Sequence, residues 1–267
     1  MRNLSSARQD GEMMSETLRL HGFEILSELY DKDATYVAVN DLLSKTKKKM
    51  KGKPKARFVF FVASHGILDD DGDGWMCCYG CDTTELEGTC IRMQALRDFS
   101  KGLDCSHQLY LLDMCHAGSF LNGTRAAPTK YEQALLASPA IYGMTAVTKD
   151  QEAIESEGHG VFTKLLVDAL RGNIDTRERN YLTGTELFSY VQRGVLEEAS
   201  RRGRVQVPKY QPLWQQHKKK NCDGQVIFAA NVHAGGGAGG GGSAAAVGSP
   251  LNAVRAAERA GGAGGSE

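Results

Sequence analysis

Uninterrupted apolar stretches constrain the fold of this chain more than any other feature of its sequence. Residues 58–63 are six consecutive apolar residues that end at Ser64-His65-Gly66. Residues 109–112 form a second run, which stops at Asp113, and residues 140–147 form a third, largely apolar one. Runs of this length without polar alternation are typical of strands that are covered on both faces of a parallel sheet. The sequence therefore predicts a buried, mostly parallel β-sheet.

Helical signals lie between and after these strands. Asp10 is expected to cap a first helix that Gly22 ends, and Asp33 or Thr35 to start a second. The residues from Thr183 to Glu186 have the spacing of a capping box. Further helices are predicted at 91–99 and 162–170, and shorter strands at 23–29, 75–79 and 225–230. Strands that alternate with helices indicate an α/β fold in three layers, with helices on both faces of the sheet.

Composition sets the expected domain boundaries. Residues 234–267 contain 12 of the 31 glycines of the chain and almost no large apolar side chain. Such a segment buries too little surface to offset its ordering entropy, so it is predicted to be a disordered Gly/Ala-rich tail. Residues 10–233 then form one domain, preceded by a polar stub at 1–9.

The charge balance bears on partners and location. Lys and Arg together number 32, as do Asp and Glu, which argues against a dedicated partner among nucleic acids or membrane surfaces. Eight basic residues between Lys45 and Arg57 are interpreted as a solvated helix end and loop. No apolar stretch is long enough to span a membrane, and the first 14 residues are polar. The sequence thus predicts a cytoplasmic protein whose seven cysteines are thiols.

Reactive side chains follow two of the predicted strands. In an open α/β sheet, ligands bind beyond the carboxyl ends of the strands, and His65 and Cys115 both lie just past such an end. A cysteine nucleophile needs a base that removes its proton and an acid that protonates the leaving amine, and one histidine can serve as both. Because adjacent strands are about 4.8 Å apart, both side chains are expected to reach a shared substrate.

The motifs around these two residues resemble those of a known family. Ser64-His65-Gly66 and the residues from Asp113 to Gly118 are similar to the histidine and cysteine motifs of caspase-like cysteine peptidases, and the cysteine follows the histidine by 50 residues. The resemblance covers about residues 10–230 and is strongest to the metacaspase and bacterial caspase-homologue branch. It implies that Cys115 is the nucleophile and His65 the general acid/base. The backbone amides of Gly66 and Cys115 would form the oxyanion hole.

The same resemblance bears on specificity. Caspases that cut after aspartate have a glutamine two residues before the cysteine, whereas this chain has Asp113 there. A carboxylate at the base of the first specificity pocket would pair with arginine or lysine. The chain is therefore expected to be a cysteine endopeptidase that cuts protein substrates after basic residues.

One departure from the family leaves two other functions open. The family's domain opens with an apolar strand in the middle of the sheet, and the polar residues before Asp10 do not supply it. The main alternative is accordingly a catalytically impaired caspase homologue that acts as a scaffold or regulator. Residues 111–114 also resemble the phosphoacceptor strand of a receiver-type signalling domain, but that function leaves His65 and Cys115 unexplained.

The peptidase chemistry needs no cofactor, and the sequence supports metal-binding sites only weakly. Asp69, Asp71, Asp73 and Gly74 match the start of an EF-hand loop, but Gly80 stands where a glutamate is required. A looser site for calcium activation and a solvated acidic turn remain equal alternatives. Four cysteines suggest zinc, but only one Cys-x-x-Cys pair is present, which argues against a zinc finger. These four are Cys77, Cys78, Cys81 and Cys90.

Two further residues concern processing. Arg125 and Lys130 follow the cysteine motif in the region where some relatives cut themselves. They are candidate autoprocessing sites.

Overall fold

The computed structural model describes residues 6–121, 138–148, 151–176 and 181–230. The predicted tail at 234–267 and the candidate processing sites Arg125 and Lys130 lie outside these ranges. The helices are α1 (Ala7–Leu20), α2 (Tyr36–Met50), α3 (Met93–Gly102), α4 (Val161–Asp168) and α5 (Gly184–Arg201). The strands are β1 (Arg57–Ala63), β2 (Gly66–Leu68), β3 (Gly74–Cys77), β4 (Cys90–Arg92), β5 (His107–Asp113), β6 (Ala140–Thr145), β7 (Glu155–Ser156), β8 (His159–Gly160), β9 (Tyr181–Thr183), β10 (Lys209–Pro212), β11 (Gln216–His217), β12 (Lys220–Asn221) and β13 (Ile227–Ala229).

The three apolar runs form the parallel part of the central sheet. Its strand order is β1-β5-β6-β10, with β10 antiparallel to β6 and the other pairs parallel. Ala63 pairs with Asp113, so β1 and β5 end side by side. The predicted mostly parallel α/β sheet is confirmed.

Helices cover both faces of this sheet, as predicted. Alternate residues of β5 point to opposite faces, which explains why the run has no polar positions. Leu109 and Leu111 belong to one core cluster, whereas Tyr110 and Leu112 belong to the other. The first cluster includes residues of α1, α4 and α5: Met14, Leu18, Phe162, Leu166, Leu187 and Val191. The second includes residues of α2 and α3: Val39, Leu43, Met93, Leu96 and Phe99.

The predicted strand at 23–29 is wrong. Residues 23–30 have no strand pairing; they lie across a cavity of about 580 Å³ from β1, and α1 and α2 complete its walls. In the part of the chain that the structure describes, no strand pairs with the outer edge of β1. The segment therefore has no adjacent strand to hydrogen-bond with, and most of β1 is half-buried rather than fully covered.

Helix boundaries agree with the sequence at two places and differ at two. Thr35 caps α2, and Thr183 with Glu186 forms the predicted capping box of α5. Asp10 does not cap α1, because the helix already begins at Ala7. The carboxylate of Asp10 instead points inward and accepts the Gly160 amide. The helix predicted at 91–99 starts at Met93, since residues 90–92 pair with β3.

The last predicted strand exists as β13, but it pairs with β9 and stays outside the central sheet. Within the described ranges, no helix has both the length and the apolar content that a membrane span requires.

Candidate active site

His65 lies where the central sheet meets the small antiparallel sheet of β2, β3 and β4. Hydrogen bonding between β1 and β5 extends one residue beyond Ala63, because the Ser64 amide donates to the Asp113 carbonyl at 3.2 Å. The carbonyl of His65 accepts the Cys77 amide at 2.9 Å and the Ser64 hydroxyl at 2.8 Å. His65 is thus fixed at the carboxyl end of the sheet by backbone contacts to both neighbouring strands.

Cys115 lies in a sharp turn after β5. His116, the next residue, has the left-handed conformation with φ 57° and ψ 11°. Its carbonyl accepts the Ser119 amide at 3.1 Å and so closes the first turn of a short 3-10 helix at Ala117–Phe120. Left-handed residues other than glycine are uncommon and concentrate at functional sites. This turn keeps the Cys115 side chain half-buried at the edge of the sheet, on the same side as His65.

The loop that contains His65 (the histidine loop) and the loop that contains Cys115 (the cysteine loop) contact each other at Gly66. A Cβ atom at this position would lie 1.9 Å from the carbonyl oxygen of Cys115. No side chain fits into that space, so glycine after the histidine is required for the two backbones to approach. The structure therefore brings together the segments of His65, Gly66 and Cys115 that the sequence selected.

The Cys115 thiol is held in its protonated form. Burial raises its pKa, and the negative charges of Glu152 and Asp113 add to the increase. A hydrogen bond from the Ala153 amide to the sulfur acts in the opposite direction but is the smaller effect. Formation of the thiolate consequently requires a base beside the sulfur.

Asp113 is buried at the end of β5, with 7% of its surface exposed. One carboxylate oxygen accepts the Thr163 hydroxyl at 2.6 Å and the Thr163 amide at 3.3 Å. A Cβ atom at Gly160 would lie 2.3 Å from the same oxygen, so this glycine permits the close packing. Burial raises the pKa of Asp113 to about 7, and the charge of Asp10 contributes to the increase. The carboxyl therefore titrates near neutral pH.

Asp10 is a part of this environment that sequence reasoning missed. It is 1% exposed; one carboxylate oxygen lies 2.8 Å from His159 Nδ1, and the other accepts the Gly160 amide at 2.9 Å. Burial raises its pKa as well. Its spacing of four residues from Met14 was the available signal, because i and i+4 positions share one helix face. His159 lies in β8 and contacts this carboxylate.

Comparisons with known proteins agree with this architecture. The family model described as caspase domain matches residues 1–220. The chain belongs to the caspase domain family. A comparison with curated protein sequences gave no significant match.

Solved structures show the same fold as this caspase domain. Caspase-1 from Spodoptera frugiperda has a TM-score of 0.51 at 14% identity, covering 84% of this chain and 83% of that one. Protein GSU0716 from Geobacter sulfurreducens has a TM-score of 0.50 at 17% identity, covering 76% of this chain and 82% of that one. At such identities the likeness concerns the fold alone.

The acidic loop of the caspase domain is a hairpin turn between β2 and β3. Both carboxylate oxygens of Asp69 have partners at 2.8 Å, the Asp73 amide and Trp75 Nε1. Asp73 pairs with Arg92. Asp69, Asp71 and Asp73 do not converge on one point in the described structure. Hydrogen bonding in the turn thus already uses two of the three aspartates, and calcium activation stays a prediction.

Three of the four cysteines considered for zinc do converge. The sulfur atoms of Cys77, Cys81 and Cys90 all lie within 4.8 Å of one another. Spacing along the chain does not reveal this group, because only one Cys-x-x-Cys pair is present. The informative signal is the antiparallel register, which places Cys90 opposite Cys77.

Proposed function

We propose that this caspase domain is a cysteine endopeptidase that cleaves after arginine or lysine, with Cys115 as the nucleophile and His65 as the general acid/base. The contact between Gly66 and Cys115 carries the proposal, because it fixes both loops at one edge of the sheet. A basic-residue specificity would place the chain with the metacaspase branch of the family.

The proposed reaction follows from the protonation state of Cys115. His65 would take the thiol proton, which the raised pKa of Cys115 keeps in place until a base acts. The thiolate attacks the substrate carbonyl, and the Gly66 and Cys115 amides stabilise the oxyanion. His65 then protonates the leaving amine, and water hydrolyses the thioester.

Asp113 supports the basic specificity. A buried carboxylate at the base of a pocket favours a guanidinium or ammonium group over an apolar or acidic side chain, since an unpaired charge is costly there. With its pKa at about 7, binding of a cation would drive the carboxyl into its ionised form. Cleavage after arginine is accordingly expected to rise as the pH passes about 7.

A catalytically impaired homologue is the second candidate, and one observation favours it. The cavity beside β1 extends to Ala63 and Ser64, directly before His65. Empty space beside these residues would leave the segment that precedes His65 less firmly packed on that side. In this case the domain would act as a scaffold or regulator.

Location is a separate proposal. All seven cysteines are free, and five of them are buried. Thiols in this number suit a reducing compartment, and we propose the cytoplasm.

The deciding experiment is hydrolysis of paired fluorogenic peptides that end in arginine or aspartate, with and without calcium. The wild type is compared with Cys115→Ala and Asp113→Ala, each shown to be folded by circular dichroism. Arginine cleavage that both substitutions abolish supports the dyad and the acidic pocket. Preference for aspartate refutes the pocket alone, and a folded wild type that cuts neither peptide refutes the peptidase.

A further inference from the structure

Three cysteines outside the proposed catalytic machinery meet at one end of the β3–β4 hairpin. Cys77 and Cys90 are partners in the antiparallel ladder. Cys81 reaches them through a β-turn, in which its amide donates to the Cys78 carbonyl at 3.1 Å and Gly80 has φ 75°. A positive φ at the third residue of a turn favours glycine there. The hairpin and the turn together bring the three sulfur atoms within 4.8 Å of one another.

We propose that Cys77, Cys81 and Cys90 bind a thiophilic divalent cation of the zinc class through three thiolates, with a water molecule in the fourth position. Tetrahedral zinc with Zn–S bonds of about 2.3 Å has sulfur atoms about 3.8 Å apart. The observed upper limit of 4.8 Å requires each sulfur to move inward by less than about 1 Å. Rotamer adjustments of cysteine side chains are enough for such a movement.

The surroundings of the sulfur atoms suit a bound cation. Three thiolates within 4.8 Å of one another would repel each other. A divalent cation would offset this repulsion, and binding would release the three thiol protons to solvent. Cys90 Sγ also accepts a hydrogen bond from the Cys78 amide. Donors of this kind orient thiolate ligands.

Access and selectivity are also consistent with this assignment. Cys77 and Cys90 are buried, whereas Cys81 is half-exposed and offers an entry path from solvent. Cys78 belongs to the core cluster that includes α2 and α3, and its sulfur is not part of the convergent group. Among the described residues, no other set of three Cys, His, Asp or Glu side chains has ligand atoms this close together.

The site adjoins the residue that the proposed peptidase uses as its base. The Cys77 amide donates to the His65 carbonyl at 2.9 Å, and the Cys77 carbonyl oxygen lies 3.3 Å from the Ser64 hydroxyl oxygen. A cation on Cys77 would therefore stiffen the strand that fixes His65. This consequence rests on the proposed function, but the metal site itself does not.

The test is a titration of the reduced full chain with Co²⁺, a spectroscopic substitute for zinc. A Cys115→Ala background removes the one other thiol that is not buried. One equivalent of Co²⁺ should produce thiolate-to-cobalt charge transfer and the visible bands of a tetrahedral complex, and Zn²⁺ should displace it. Cys81→Ser should weaken binding by more than about 100-fold, beyond the loss typical of residues that only orient ligands. Cys105→Ala, which removes a buried thiol elsewhere, should leave it unchanged.

Several outcomes would overturn the proposal. They are the absence of thiolate bands in folded, reduced protein, bands that persist in Cys81→Ser, and a Cys77–Cys90 disulfide in protein kept under reducing conditions. Amide hydrogen exchange gives a second readout, because Zn²⁺ should slow exchange in β3 and β4 of the Cys115→Ala protein but not of its Cys81→Ser derivative. None of these measurements depends on peptidase activity, so failure of the proposed function would leave them interpretable.

Discussion

Replacing Asp113 with asparagine should stabilise the caspase domain at alkaline pH while abolishing cleavage after arginine. Burial raises the pKa of Asp113 to about 7, whereas the ordinary value is 3.8. Between these values the folded state holds a proton that the unfolded state has released, so the free energy of unfolding falls as the pH rises. Asparagine has nearly the same shape, cannot ionise, and still offers an oxygen to the Thr163 hydroxyl.

The size of the effect follows from the two pKa values. One group that titrates at about 4 when unfolded and at about 7 when folded destabilises the folded state progressively over that interval. The total penalty is about 4 kcal/mol once the pH exceeds about 7. The stability of Asp113→Asn relative to the wild type should therefore increase by about 4 kcal/mol from about pH 4 to about pH 8.

Urea unfolding over that pH range measures this difference. Both proteins carry Cys115→Ala, which prevents self-cleavage. Asp70→Asn is the matched control, because it removes an exposed carboxylate of the β2–β3 turn instead of a buried one. A stability difference for Asp113→Asn that does not change with pH, or that favours the wild type at alkaline pH, would show that Asp113 is ionised in the folded protein and refute the reasoning.

Three other substitutions test separate parts of the structure. Gly66→Ala places a Cβ atom 1.9 Å from the Cys115 carbonyl oxygen and should lower kcat/KM for an arginyl peptide at least about 100-fold; a folded variant with normal kinetics would contradict the loop contact. Thr163→Val removes a hydroxyl donor at 2.6 Å from Asp113, so the pKa of that carboxyl should rise and the pH midpoint of arginine cleavage should move upward; an unchanged or lower midpoint would count against Asp113 as the specificity residue. Thr183→Ala breaks the α5 capping box and should cost about 1 kcal/mol in thermal unfolding with kcat unchanged, and no loss of stability would contradict the role of the cap.

The central sheet was predictable because local sequence carries its signal. Residues 109–112 form a strand whose two faces both meet helices, so continuous apolar character identified it without knowledge of its partners. The positions of His65 and Cys115 followed from the rule that ligands bind at the carboxyl ends of parallel strands. The location of the candidate site was thus accessible from the sequence.

Features that depend on distant partners were not accessible. Residues 23–29 have strand-like composition, but a strand exists only where a neighbour offers hydrogen bonds. Asp10 became buried because Gly160, 150 residues later, brings an amide to it. The cysteine group likewise required the register of β3 on β4, which spacing along the chain does not reveal.

One edge of β1 has no partner strand among the described residues, and this has a practical consequence for handling the protein. Exposed sheet edges invite pairing with other chains, and basic side chains at the edge oppose it. The cavity beside β1 is lined by four basic side chains, Lys49, Lys53, Lys55 and Arg57. Burial lowers the pKa of Arg57 only to about 10, so its guanidinium stays charged at neutral pH. Two copies that approached edge to edge would bring these charges together. At an ionic strength of about 0.1 M, salt largely screens the repulsion between charges that are more than about 10 Å apart. Dilute buffers rather than concentrated salt should therefore keep the purified chain from self-association.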